Sequence, residues 1–222
     1  MSDRKRIENL EDVLAQFLKP IRNLPFPVIV RALADTSVIP VDPSNDLDRG
    51  VIDRLIRVAH ACADAVRANP IVRNRPNEVG NDIEPFVLEA AISAGFRAER
   101  PTTKSGKLRS TGYPDVIIYD EAGRPTYLEC KIFGEGTALT TMRSFYLSPS
   151  EDFKVCIDAR HLLLAFGIER VPQSNSIMSE YRPVSFKLVD LHGLLCDVKY
   201  EFNSDNRRLY SSGMILAEGA LK

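Results

Sequence analysis

"YPDVIIYDEAGRPTYLECKIF", residues 113–133, is the stretch on which the reading of this chain turns. Two apolar runs, Val116–Tyr119 and Thr126–Leu128, flank Asp120–Pro125, and the Gly123 and Pro125 between them predict a β-hairpin. Three charges interrupt it: Asp115 opens the first run, and Glu129 and Lys131 break the second where buried surface is expected. Side chains alternate faces along a strand, so Glu129 and Lys131 project together while Cys130 points the opposite way into apolar packing. Asp115, at the start of the partner strand, then comes alongside them. Two carboxylates and an ammonium at one end of a sheet suit Mg²⁺, which keeps several waters and takes one or two protein carboxylates plus phosphate oxygens. A lysine beside such an ion can orient or deprotonate a bound water and stabilise charge growing on a phosphorane. That is chemistry for hydrolysing a phosphodiester. The competing reading is a hairpin whose wet edge carries a Glu/Lys pair.

The spacing matches a known pattern. Pro114-Asp115, followed after thirteen residues by Glu129-Cys130-Lys131, resembles the signature of the PD-(D/E)XK nuclease superfamily. The loose acid-x-Lys half also occurs at Asp3–Lys5, Asp152–Lys154 and Asp197–Lys199, but only 114–131 sets it after Pro-Asp inside a hairpin with apolar flanks. "RPNEVGNDIEPF" (75–86) and "SFYLSPSEDFKV" (144–155) are similar to stretches of type II restriction endonucleases, so the resemblance spans about residues 75–170. It implies a central mixed sheet flanked by helices and Mg²⁺-dependent cleavage of double-stranded DNA by a homodimer. Carried over residue by residue, Asp115 and Glu129 ligate the metal with the Cys130 carbonyl, and Lys131 positions the attacking water. The superfamily also places an acid on a helix before the first motif strand. Glu84 is the first choice for it, with Glu78 in reserve because Glu84 precedes Pro85.

Composition bounds the alternatives. The chain has 222 residues, 44% of them hydrophobic, enough for one substantial core with a small appended part. Its four cysteines, Cys62, Cys130, Cys156 and Cys196, form no C-x-x-C pair, which fits a reducing compartment. The polar start and the lack of any membrane-length apolar run predict a soluble, cytoplasmic protein. Net charge is −1, so phosphate binding has to come from local clusters. Between Arg97 and Arg109, Arg97, Arg100, Lys104, Lys107 and Arg109 face only Glu99, a basic loop just ahead of Asp115 that is placed to meet DNA. Arg143, Lys154, Asn203, Asn206, Arg207 and Arg208 are further candidates, since Arg suits guanine and Asn suits adenine. His60, His161 and His192 read as structural histidines, and no dinucleotide or P-loop motif occurs.

Apolar periodicity predicts helices over 10–18, from the Ser44–Asp46 caps to Asn69, and from about Asp82 to Gly95. A region of short pieces lies between the first two. A short helix is expected from Ser148–Ser150 to Asp158, then strands over 161–168 and 184–191, with a polar loop from Pro172 to Arg182. The expected architecture is an α/β or α+β domain over 71–222 behind a helical N-terminal extension over 1–70. Three functions remain in view: a sequence-specific restriction endonuclease, a repair or recombination nuclease of the same fold, and a DNA-binding module without chemistry. Retention of two close carboxylates and a lysine argues against the last, because an idle site has no reason to hold like charges together.

Overall fold

A computed structural model describes residues 10–16, 18–19, 21–134, 145–173, 177–200, 205–209 and 214–215. The chain divides into two compact units, Pro25–Leu195 and a terminal unit of Met1–Leu24 with Cys196–Lys222. The larger unit runs α1 (Phe26–Ala34), β1 (Val38–Ile39), α2 (Asp46–Ala68), β2 (Ile71–Arg73), α3 (Val79–Ser93), β3 (Arg97–Glu99), β4 (Val116–Tyr119), β5 (Pro125–Gly134), β6 (Ala159–Pro172) and β7 (Ser179–Asp190). The strands form one mixed sheet in the order β2-β7-β6-β5-β4-β3, with β1 beside β6. β5 and β1 run parallel to β6, whereas β4–β5, β3–β4, β6–β7 and β2–β7 are antiparallel. A mixed sheet flanked by helices is the architecture that the hairpin motif implied.

Local chemistry explains the helices. The Asn45 side chain accepts from the Leu47 and Asp48 amides and starts α2, whose buried stripe is Val51, Leu55, Val58, Ala59, Cys62 and Val66. That stripe packs with Val79, Ile83, Val87, Ala90 and Ala91 of α3 and with Val116, Ile118, Leu128, Cys130, Leu162 and Leu164 of the sheet. Gly95, at φ +87°, closes α3 in a conformation that side-chain-bearing residues rarely adopt.

Several expectations are corrected. Leu47, an apolar residue in phase with the stripe of α2, is 57% exposed, because it sits in the first turn ahead of the core contact. α3 begins at Val79 rather than near Asp82: the turn Pro76–Glu78 leads into it, and Pro85 lies inside, forgoing one helical hydrogen bond. α1 occupies part of the region read as short pieces, since Pro27 is compatible with a helical first turn. The short helix expected from 148–150 to Asp158 does not form. There Asp152 gives its carboxylate to the Ser105 amide (2.9 Å) and hydroxyl (2.7 Å) instead of to a helical turn. β7 starts at Ser179, inside the expected polar loop. α2 shares one core with the sheet. In the terminal unit, Leu10, Val13 and Leu14 lie on a helical segment but are exposed, so their stripe does not bury a face among the described residues.

Candidate active site

Antiparallel register decides where the three motif charges fall. Val116 pairs with Leu128, so the next position along sets Asp115 against Glu129 on one face of the hairpin. The Cys130 amide donates to Asp115 Oδ2 (2.8 Å), and Lys131 Nζ donates to Glu129 Oε1 (2.5 Å). Glu129 is only 3% exposed, and its Oε2 is buried with no hydrogen-bond partner among the described residues. An orphaned buried carboxylate oxygen is costly, so some cation or proton is called for at that point.

The electrostatics say the same. Burial, and then the charge of Asp115, push the Glu129 carboxyl up to about 7 against the pull of Lys131. Glu84, brought in on α3, is also pushed up to about 7, first by burial and then by Asp115, with Arg100, Lys131 and Lys154 working the other way. The charge of Asp115 thus makes both Glu84 and Glu129 harder to ionise. Burial works to lower the Lys131 ammonium, but Glu129 and Asp115 together hold it above its ordinary value, so it is charged at neutral pH. Of the two candidate helix acids, Glu84 is the one on which Asp115 acts, while Glu78 acts on the Arg73 guanidinium that Asp82 holds.

An aromatic cluster lies next to the site. The Tyr113 hydroxyl and His161 Nδ1 are 2.6 Å apart, and Phe26, Tyr127 and Phe145 pack their rings around the pair. Burial drives His161 down to about 3, which makes it a neutral structural histidine.

Residues 20–213 match the family described as "Type II restriction enzyme MjaV family". The chain is also 35% identical, over the full length of both proteins, to "Type II restriction enzyme MjaV" of Methanocaldococcus jannaschii.

The chain belongs to the MjaV family of type II restriction enzymes.

Its activity is site-specific endonucleolytic cleavage, and DNA is its substrate. No solved structure matches the chain. Type II restriction enzymes generally use divalent metals, and the residues of this cluster fit one. Their donors are hard oxygens, one of them is orphaned, and the repulsion among them would be relieved by a cation. Among the described residues no three His, Cys, Asp or Glu side chains are disposed to enclose an ion, so water, main chain or phosphate would supply the remaining ligands.

The proposed DNA-contacting residues divide. Lys104 and Lys107 are exposed and make no ion pair among the described residues, while Arg109 reaches Asp152 at 3.3 Å. Arg207 is exposed on the short helix Asn206–Leu209 of the terminal unit. Arg143 and Asn203 lie outside the described residues. Lys154 is not a surface residue: it is 6% exposed, and its ammonium donates to the carbonyls of Gly112 (2.7 Å) and Pro114 (3.2 Å). Its triplet Asp152–Lys154 reads in sequence as a chance copy of the acid-x-Lys half, and the flanking Phe153 and Val155, both buried, are the signal that the segment is internal. Arg100, close enough to act on Glu84 and Lys154, stands out in sequence only as a member of the basic loop. No helix of the described residues is long and apolar enough to cross a membrane.

Proposed function

We propose that this chain is a Mg²⁺-dependent restriction endonuclease that cuts double-stranded DNA as a homodimer. The observation that carries the reading is the convergence of Asp115, Glu129 and Lys131, with Glu84 beside them, on one end of the β4–β5 hairpin. Asp115 and Glu129, helped by the Cys130 carbonyl, would hold the ion. When bound, Mg²⁺ supplies Lewis-acid activation of water and neutralises charge on the phosphate.

The side chains do the rest. Lys131, fixed by Glu129 and kept charged, donates hydrogen bonds that orient the attacking water and meet negative charge growing on the phosphate oxygens. It acts as an ammonium donor rather than as a base. Glu84, poised near neutrality, is suited to accept a proton from that water. The exposed Lys104 and Lys107 supply phosphate contacts on the loop leading to Asp115. Each chain presents one such cluster among its described residues, and two strands of opposite polarity call for two copies.

The test is a digest. Purified protein with Mg²⁺ should convert one sequenced plasmid into discrete fragments, EDTA should stop it, and Lys131→Ala should abolish cutting while the circular dichroism spectrum is unchanged. Plasmid left intact in every divalent metal tried would sink the reading.

A further inference from the structure

Lys154 is a buried cation with an unusual choice of partners. Three carboxylates lie close enough to act on it electrostatically, yet its ammonium donates to two main-chain carbonyls, those of Gly112 and Pro114. These two carbonyls bracket Tyr113 and lead directly into Asp115. The segment around Lys154 makes further ties of the same kind. Asp152 holds the Ser105 amide and hydroxyl and the Arg109 guanidinium, and the Phe153 carbonyl accepts from the Lys104 amide (3.1 Å). On the other side, the Cys156 amide donates to the Tyr127 hydroxyl (2.9 Å), two residues before Glu129 on β5. One short stretch, 152–156, thus holds both the approach to Asp115 and the strand that bears Glu129.

A lysine is a costly way to fill such a place. Burying an ammonium demands compensation, and an apolar side chain of similar volume would pack more favourably if filling space were all that was needed. What the ammonium offers is a donor that can reach two carbonyls at once and fix the chain between them.

We propose that Lys154 is a positioning residue for the cleavage reaction: it ties Gly112–Pro114 down and thereby sets where Asp115 stands relative to Glu129. The inference rests on the roles proposed for those two carboxylates, and it deepens that reading by naming what assembles the pair. A lysine that merely contributed positive charge would hinder a metal ion, since the two cations compete for the same carboxylates. A lysine that positions Asp115 helps it. The two roles predict opposite signs.

The experiment is Lys154→Gln, compared with wild type and with Asp115→Asn. Mn²⁺ binding is followed by titration calorimetry on the full chain, DNA binding by gel shift in Ca²⁺, and cutting by plasmid digestion in Mg²⁺. The expected result is Mn²⁺ affinity weakened about tenfold and cleavage slowed about a hundredfold or more, with DNA affinity within about threefold of wild type and an unchanged circular dichroism spectrum. Unchanged or tighter Mn²⁺ binding by Lys154→Gln would overturn the proposal. If Lys154→Gln does not fold, Lys154→Arg carries the same measurement: it keeps the charge but cannot place a planar guanidinium as the ammonium sits, so a comparable loss supports positioning and wild-type affinity refutes it. Wild-type protein that neither binds Mn²⁺ nor cuts DNA would overturn the nuclease reading, and this inference with it. Wild type that does both, beside an unaltered variant, overturns this inference alone.

Discussion

Asp115 and Cys130 are joined across the hairpin, the Cys130 amide donating to Asp115 Oδ2 at 2.8 Å. The bond orients Asp115 beside Glu129, a residue whose carboxyl is already pushed up to about 7 by burial and by Asp115 itself. Geometry that serves a cation therefore works against the apo protein. Asp115→Asn keeps an oxygen for the Cys130 amide while removing the charge. Cleavage should fall about a thousandfold or more, the loss expected when several kcal/mol of transition-state stabilisation disappear. The thermal midpoint without metal should be unchanged or higher. A variant that cuts DNA at the wild-type rate would remove Asp115 from the site.

Structure elsewhere rests on a different carboxylate. Asp48, 5% exposed, pairs with Arg160 at 2.6 Å and Arg124 at 2.8 Å, and also accepts from the Asp42 amide at 3.0 Å. It ties the first turn of α2 to the end of the hairpin turn and to the start of β6. Asp48→Ala would strand the buried Arg160 charge, and the expected loss is about 3–5 kcal/mol in denaturant unfolding. Arg124→Ala should cost less, because Arg124 is partly exposed and Arg160 keeps its partner.

Acid should weaken the fold through His161. Burial holds its folded value at about 3, below the ordinary 6.5. Between those values the unfolded chain binds the extra proton, so the contribution of neutral His161 is complete above about pH 6.5 and falls as pH drops toward 3, by up to about 1.4 kcal/mol per unit. Glu84 and Glu129, raised to about 7, take up protons in the folded state and pull the other way. Urea midpoints of wild type should therefore lose ground to those of His161→Gln as pH drops from about 7.5 to about 5, the difference between the two proteins separating this residue from the carboxylates. An equal slope in the variant would assign the effect to other groups.

The basic loop can be tested apart from the chemistry. Replacing both Lys104 and Lys107 by Gln should weaken DNA binding on every sequence alike. The slope of log affinity against log salt should become shallower by about 0.9 for each phosphate that is no longer neutralised. The rate of cutting at saturating enzyme should hardly move. A change in the sequence that is cut, with the salt slope intact, would make these lysines base readers instead.

Reading along the chain reaches what is local. The hairpin and the shared face of Glu129 and Lys131 follow from a period of two and a turn of six residues, and the start and buried stripe of α2 follow from Asn45 and a period of 3.6. Glu84 is reachable by resemblance, although Pro85 obscures the helix that carries it. Such features depend on neighbours a few residues apart, so spacing reveals them. Tertiary packing settles the rest: Asp48 with Arg160 across 112 positions, Tyr113 with His161 across 48, and Lys154 turned inward to carbonyls 40 and 42 residues away. No pattern along the chain marks these pairs, because a charge is buried or exposed according to which distant backbone groups the fold brings within bonding distance of it.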